Sequence, residues 1–197
     1  MGETTLQDRR SATTSHATNK YTDLENAALA FVNAQTHIPD LETGMDFAAL
    51  KRFVAPSFSH SFGPDYAVSQ APKLQGTFTI DSFIKHLGSM LPALETWAIQ
   101  FRNVVVDEVG ESVAIRASYR MLVKGADKAV ENDVVWWLEM EERLSGTDSG
   151  EWDDCGGWRV RRSTEIVDVA AAGKIKELIT ARNEKKSERP DSSVAAG

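Results

Sequence analysis

Asn132-Asp-Val-Val-Trp-Trp-Leu-Glu-Met-Glu141 and, beyond a short loop, Trp158-Arg-Val-Arg-Arg-Ser-Thr-Glu-Ile-Val-Asp168 are the stretches that decide the fold of this chain. Both alternate apolar and polar residues with period two, the mark of a strand with one face buried. They follow a front half with helical spacing and precede a short closing helix. Helices first and a long antiparallel sheet second define an α+β domain with helices covering one sheet face. Such a sheet, curled around helices, makes a cup.

Two further strands stand upstream. Trp97, Ile99, Phe101, Asn103 and Val105 alternate with Ala98, Gln100 and Arg102, and Val113, Ile115, Ala117, Tyr119, Met121 and Val123 alternate with Arg116, Ser118 and Arg120. The loops around Glu108-Val-Gly110 and Gly125-Ala-Asp127 are short enough for consecutive hairpins. Pairing Val105 with Val113 sets Ile99 opposite Tyr119, and a second loop of four or six residues sets Tyr119 opposite Trp136 or Val134. Trp97, Ile99, Tyr119, Asn132 and Trp136 are then expected together on the concave face. Trp137 falls on the convex face, and a homodimer partner's sheet is the economical cover for so large a ring.

Before the sheet, Thr22 or Asp23 is expected to cap a helix whose stripe is Leu24, Ala27, Ala28, Phe31 and Val32. Asp46 caps a second helix, Phe47 to Val54, and Asp81 opens a third, Ser82 to Met90, with Phe83, Ile84 and Leu87 facing in. Residues 57–79 read as an aromatic loop. The polar ends, residues 1–20 and 183–197, lack bulky apolar groups and are expected to be disordered, which leaves one domain over residues 21–182.

The net charge is −7, which argues against nucleic acid. The one inner basic cluster, Arg159, Arg161 and Arg162, is expected to balance Glu139, Glu141 and Glu142 on an exposed face. A single cysteine, Cys155, excludes an internal disulfide. No apolar run approaches the roughly 20 residues that span a bilayer, and residues 1–20 contain no secretory core. No membrane association is expected, and the cytoplasm is the expected compartment.

The order and spacing of Phe47-Ala-Ala-Leu-Lys-Arg-Phe-Val-Ala-Pro-Ser-Phe-Ser-His60, Phe83-Ile-Lys-His-Leu87 with Pro92, Asn132-Asp-Val-Val-Trp136 and Glu165-Ile-Val-Asp168 resemble the NTF2-like superfamily, in its SnoaL-like branch of filamentous fungi. The resemblance covers roughly residues 22–182. It implies a cone with three N-terminal helices in the concave face of a curved, mostly antiparallel sheet, and usually a homodimer. Catalytic members are cyclases, isomerases and dehydratases that work without metal or organic cofactor, often on polyketide- or terpenoid-type metabolites; many members are not enzymes. The chain departs from the pattern in its long polar ends and in Gly150-Glu-Trp-Asp-Asp-Cys-Gly-Gly-Trp158, where a plain Gly-Lys-Ile hairpin is usual.

His60 is the foremost candidate for chemistry. Phe58, His60 and Phe62 share one side of an extended segment, and a neutral imidazole in an apolar cup takes and returns a proton. The ring is expected to be half-exposed in a pocket; the alternative is a histidine bonded to backbone near a turn. His86 either joins it in the cup or lies at the helix edge. Tyr119 and Asn132 are polar groups on an apolar face; they either bond each other or water, or orient a substrate oxygen. Phe62, Trp97 and Trp136 shape the pocket for a small hydrophobic metabolite, a flat or fused-ring one at most. Glu165 and Asp168 are expected to pair with Arg161, Arg162 or Lys174. Asp153-Asp154-Cys155 lacks a second ligand cluster for a metal, and no phosphate loop or nucleophile elbow is present. Two functions remain: a cofactor-independent isomerase, cyclase or dehydratase, or a non-catalytic ligand-binding or dimeric scaffold domain. A cup of a few hundred Å³ lined by His60 favours the first; a cup plugged by Trp97, Trp136 and Met121 favours the second.

Overall fold

Helix α1, Lys20–Asn33, starts the ordered description of the chain; the computed structural model describes residues 19–143 and 157–187. The polar ends and Asp153-Asp154-Cys155 therefore lie largely or wholly outside the described residues. The cap of α1 is Asn19, whose side chain accepts from the Tyr21 N–H at 3.2 Å, rather than Thr22 or Asp23. The apolar stripe is as expected: Leu24, Ala27, Ala28, Phe31 and Val32 are all buried. Helix α2, Phe47–Arg52, is capped by Asp46 through the Ala49 N–H at 2.8 Å and stops two residues short of the expected Val54.

Strand β1, Val54–Gly63, runs through the segment expected as loop, and a five-residue helix α3, Asp65–Ser69, follows it. Pro56 suggested a break, yet β1 is an edge strand, where a missing N–H breaks no ladder. Helix α4, Ile80–Met90, begins two residues before the expected start because Thr79, not Asp81, caps it.

The remaining strands are β2 (Leu94–Asp107), β3 (Ser112–Val123), β4 (Val130–Glu142) and β5 (Trp158–Val167), and they form one sheet in the order β1-β5-β4-β3-β2. Among the described residues only the β1–β5 pair is parallel. Ile99 does lie opposite Tyr119, but Tyr119 faces Asn132 on β4 rather than Trp136 or Val134, because the hairpin loop is longer than supposed. A bulge between Phe101 and Asn103 inserts one residue into β2. Beyond it the alternation inverts: Val104 and Val106 turn inward, while Asn103 and Val105 face out. A second irregularity, between Glu139 and Met140, skips Arg161 on β5. Bulges of this kind bend a strand and raise its twist, which curls the sheet.

The concave face holds the core. Trp136 is fully buried, edge-on to Phe31 at 5.7 Å between centroids and to Phe83 at 6.3 Å. On the convex face Arg161 and Arg162 both reach Glu139, at 3.0 and 3.1 Å, which bears out the expected balance of charge. Trp137 stands 51% exposed on that face. Helix α5, Val169–Ser187, packs on β3 and β4 and is considerably longer than the short closing helix expected.

Candidate active site

Phe58, His60 and Phe62 alternate inward from β1, as their spacing implies, and bring His60 to the middle of the cone. The ring has no exposed surface, which corrects the expected half-exposed imidazole. It lies 4.2 Å from the Phe83 ring and 4.5 Å from Phe62, with Trp136 at 5.7 Å. Its Nδ1 bonds the Ser163 hydroxyl of β5 at 2.8 Å. Burial, helped by the nearby His86, pulls its pKa from 6.5 down to about 3, so the ring is neutral near pH 7.

Glu165 is the residue the sequence did not reveal. It was expected to pair with strand arginines; instead it points into the cone, 8% exposed, with Oε2 3.9 Å from His60 Nε2. Burial raises its carboxyl from 4.5 to about 8. That separation would suit an ion pair, but neither partner carries charge near neutrality, so a carboxylic acid faces a neutral imidazole. With the acid proton on that side, the tautomer that donates Nδ1–H to Ser163 and leaves a lone pair on Nε2 is favoured. The signal for Glu165 was present in Arg161-Arg162. Two adjacent cations cannot both face solvent on an alternating strand unless a bulge intervenes, and a bulge turns Ser163 and Glu165 inward.

Tyr119 and Asn132 do share the buried face, directly opposite one another. The Tyr119 hydroxyl accepts the Trp136 Nε1–H at 2.8 Å. Burial, with Glu165 adding, pushes its pKa well above the ordinary phenol, so the O–H remains a donor. Trp97 is buried against Tyr119, with ring centroids 6.1 Å apart. His86 takes the helix-edge position. It is half-buried beside Phe62 and Phe78, at 5.2 and 5.9 Å, and burial with Lys73 lowers its pKa. Phe62 stands between the two histidines. Asp168, the other acid considered, caps α5 by accepting from the Ala170 and Ala171 N–H groups.

Five buried side-chain atoms have no hydrogen-bond partner among the described residues: His60 Nε2, Trp97 Nε1, Asn132 Oδ1 and both amide atoms of Gln35. Each such atom costs about 1–3 kcal/mol, and five together match the whole stability of an ordinary domain, about 5–15 kcal/mol. Buried polar groups of this kind are ordinarily satisfied by bound water or by a ligand. A groove of about 650 Å³ lies elsewhere, at the end of β1, lined by Ser61, Phe62, Pro64, Val68 and Ile166 among others; His60 does not line it. Among the described residues no group of three or more His, Cys, Asp or Glu is placed to hold a metal, and no helix is long and apolar enough to cross a membrane.

No family model matches this sequence, and neither does any curated protein. Solved structures do match in shape. PrhC from Penicillium brasilianum aligns with TM-score 0.60 at 14% identity, over 84% of this chain and 93% of that one. BvnE pinacolase from Penicillium brevicompactum gives 0.58 at 14% identity over 83% and 94%. A putative SnoaL-like polyketide cyclase from Jannaschia sp. CCS1 gives 0.54 at 14% identity over 86% and 96%. The chain shares the fold of these structures, an NTF2-like α+β cone with helices on the concave face of a curved sheet.

Proposed function

We propose that this chain is a cofactor-independent isomerase, cyclase or dehydratase that acts by acid/base chemistry on a hydrophobic, carbonyl-bearing metabolite of polyketide or terpenoid type, in secondary metabolism and in the cytoplasm. The observation that carries this reading is the buried Glu165 carboxyl, with Oε2 3.9 Å from the unpartnered Nε2 of His60 in an apolar cone, where burial favours the protonated acid. A group with a pKa near the working pH is suited to proton transfer. Glu165 gives its proton to the substrate carbonyl oxygen while His60 Nε2 takes the proton from the adjacent carbon, leaving an enol. Return of the imidazolium proton to a different carbon, and of the enol proton to Glu165, completes an isomerisation. The Tyr119 O–H supports the developing oxyanion, and Trp97, Trp136 and Phe62 shape the cup. A pinacolase and a putative polyketide cyclase among the structures of similar shape support the metabolite class. The half-exposed Trp137, with Val135 and the exposed Ile166 on the same face, supports a homodimer through the convex sheet.

The test is exchange of the α-hydrogens of flat hydrophobic ketones in D2O, followed by NMR. Glu165→Gln keeps the shape and removes the acid, so exchange should fall by about 10²–10⁴. Equal exchange by wild type and Glu165→Gln would remove the assignment.

One observation favours the second reading, a non-catalytic ligand-binding or scaffold domain. Trp97, Met121 and Trp136 are all buried in the cone, and the groove at the end of β1 does not reach His60. If the cup is filled by these side chains, hydrophobic ketones should leave the tryptophan fluorescence unchanged at saturating concentration.

A further inference from the structure

Ser163 is out of place as a packing residue. It is fully buried on β5, between His60 of β1 and Leu138 of β4 in the strand register. A buried hydroxyl is unfavourable unless it is bonded, and an alanine there would leave no polar atom to satisfy. The Ser163 hydroxyl bonds Nδ1 of His60 at 2.8 Å. Two positions further along the same face of β5, Glu165 places Oε2 3.9 Å from the other ring nitrogen, Nε2. One strand therefore addresses both nitrogens of a ring carried by its neighbour.

The walls around that ring are aromatic. Phe62 stands edge-on at 4.5 Å and Phe83 tilted at 4.2 Å, with Trp136 at 5.7 Å and Phe78 at 5.9 Å. Such walls hold a ring in place but do not set which way round it sits. Turning the imidazole over about its Cβ–Cγ bond exchanges Nδ1 with Cδ2 and Nε2 with Cε1 and keeps its outline. In the turned ring Nδ1 loses Ser163, and a carbon replaces Nε2 opposite Glu165. The Ser163 bond separates two orientations that packing treats alike. Its effect grows once the ring is a cation, because a hydrogen bond from a charged donor is roughly twice as strong as a neutral one. The hydroxyl oxygen accepts that stronger bond from Nδ1–H; a methyl group cannot.

We infer that Ser163 is a positioning residue: its hydroxyl keeps His60 turned with Nε2 toward Glu165 and supports the imidazolium once Nε2 has taken a proton. The second role rests on the acid/base reading, and the first does not.

The experiment has two arms on the full chain. Nitrogen-15 NMR of labelled histidine at pH 7 reports which ring nitrogen of His60 carries the hydrogen, with no substrate present. Exchange of the α-hydrogens of 1-tetralone in D2O gives kcat and KM. Wild type should show a single tautomer with the hydrogen on Nδ1. Ser163→Ala should show both tautomers, and its kcat should fall at least about tenfold with KM within about twofold, the pattern of a contact that strengthens in the transition state. Ser163→Thr, which keeps the hydroxyl, should restore the single tautomer and most of the rate. Ser163→Cys, which fills the site but bonds weakly, takes the place of the alanine variant if that protein does not fold. A wild type with the hydrogen on Nε2, or a Ser163→Ala protein that loses stability while keeping the wild-type tautomer or kcat, would overturn the inference. Failure of the acid/base reading appears separately: wild type and Glu165→Gln would then exchange 1-tetralone equally, while Ser163→Ala would still change the tautomer.

Discussion

Stability as a function of pH should show a plateau with two flanks, each belonging to one member of the buried pair. Folded Glu165 keeps its proton up to about pH 8, whereas the unfolded chain releases it near 4.5. In that window the folded state binds more protons, so stability falls as pH rises. His60 behaves oppositely. Folded, it stays neutral down to about pH 3, whereas unfolded it protonates below 6.5, so stability rises with pH over that window. Each slope is about 1.4 kcal/mol per pH unit. Between 4.5 and 6.5 they cancel. Below 4.5 the histidine alone acts, and from 6.5 to about 8 the glutamate alone, for a loss of about 2 kcal/mol on each side. Urea unfolding between pH 5 and 8.5, followed by tryptophan fluorescence, measures this directly. Glu165→Gln deletes the descending flank, so the difference between wild type and variant should change by about 1.4 kcal/mol per unit up to pH 8 and then level off. Parallel curves for the two proteins between pH 6.5 and 8 would show that Glu165 is an ordinary carboxylate and would refute the reasoning.

Turnover should decline as pH rises through about 8, because Glu165 works as the protonated acid; a rate that climbs through the same pH would make it the base instead. His60→Ala should cost about 3 kcal/mol in urea unfolding, since it empties a fully buried site and strands Ser163; a loss below about 1 kcal/mol would mean that the ring is not packed as described. Trp137→Glu should turn a dimer into a folded monomer in sedimentation, and a monomeric wild type would refute the convex-face interface. Removing residues 1–20 takes away the Asn19 cap and the Lys20 ammonium that pairs with Glu111 at 2.9 Å, so it should lower stability by about 1 kcal/mol relative to removing residues 1–18.

Where alternation ran unbroken, the sequence was transparent. Val113 to Val123 and Asn132 to Met140 place every second residue inside, and the structure agrees at each position. It was opaque wherever one residue is inserted. The bulge after Phe101 turned Asn103 and Val105 outward, and the one at Arg161 turned Glu165 from a surface partner into the buried acid. Periodicity carries no mark of such a slip unless two like charges stand side by side, as at Arg161-Arg162. Strand β1 was hidden because its outward residues, Pro56, Ser57, Ser59 and Ser61, have the composition of a loop. Its inward Phe58, His60 and Phe62 were nonetheless grouped correctly. The candidate site was legible as a set of side chains on one face. Which of them would be charged was not, since that depends on burial from strands and helices distant in sequence.

The bond between His60 and Ser163 joins positions 103 residues apart, across the parallel β1–β5 pair. Pairing over such a separation has a large loop-closure cost and forms late. On the ribosome the chain emerges N-terminus first, so β1 waits through the synthesis of helices α3 and α4 and strands β2, β3 and β4 before β5 arrives. Until then the edge of β1 and its inward aromatics are open to other partners. The chemistry proposed here thus comes into being in a single late event, when the last strand docks and delivers Ser163 and Glu165 together to a histidine made long before.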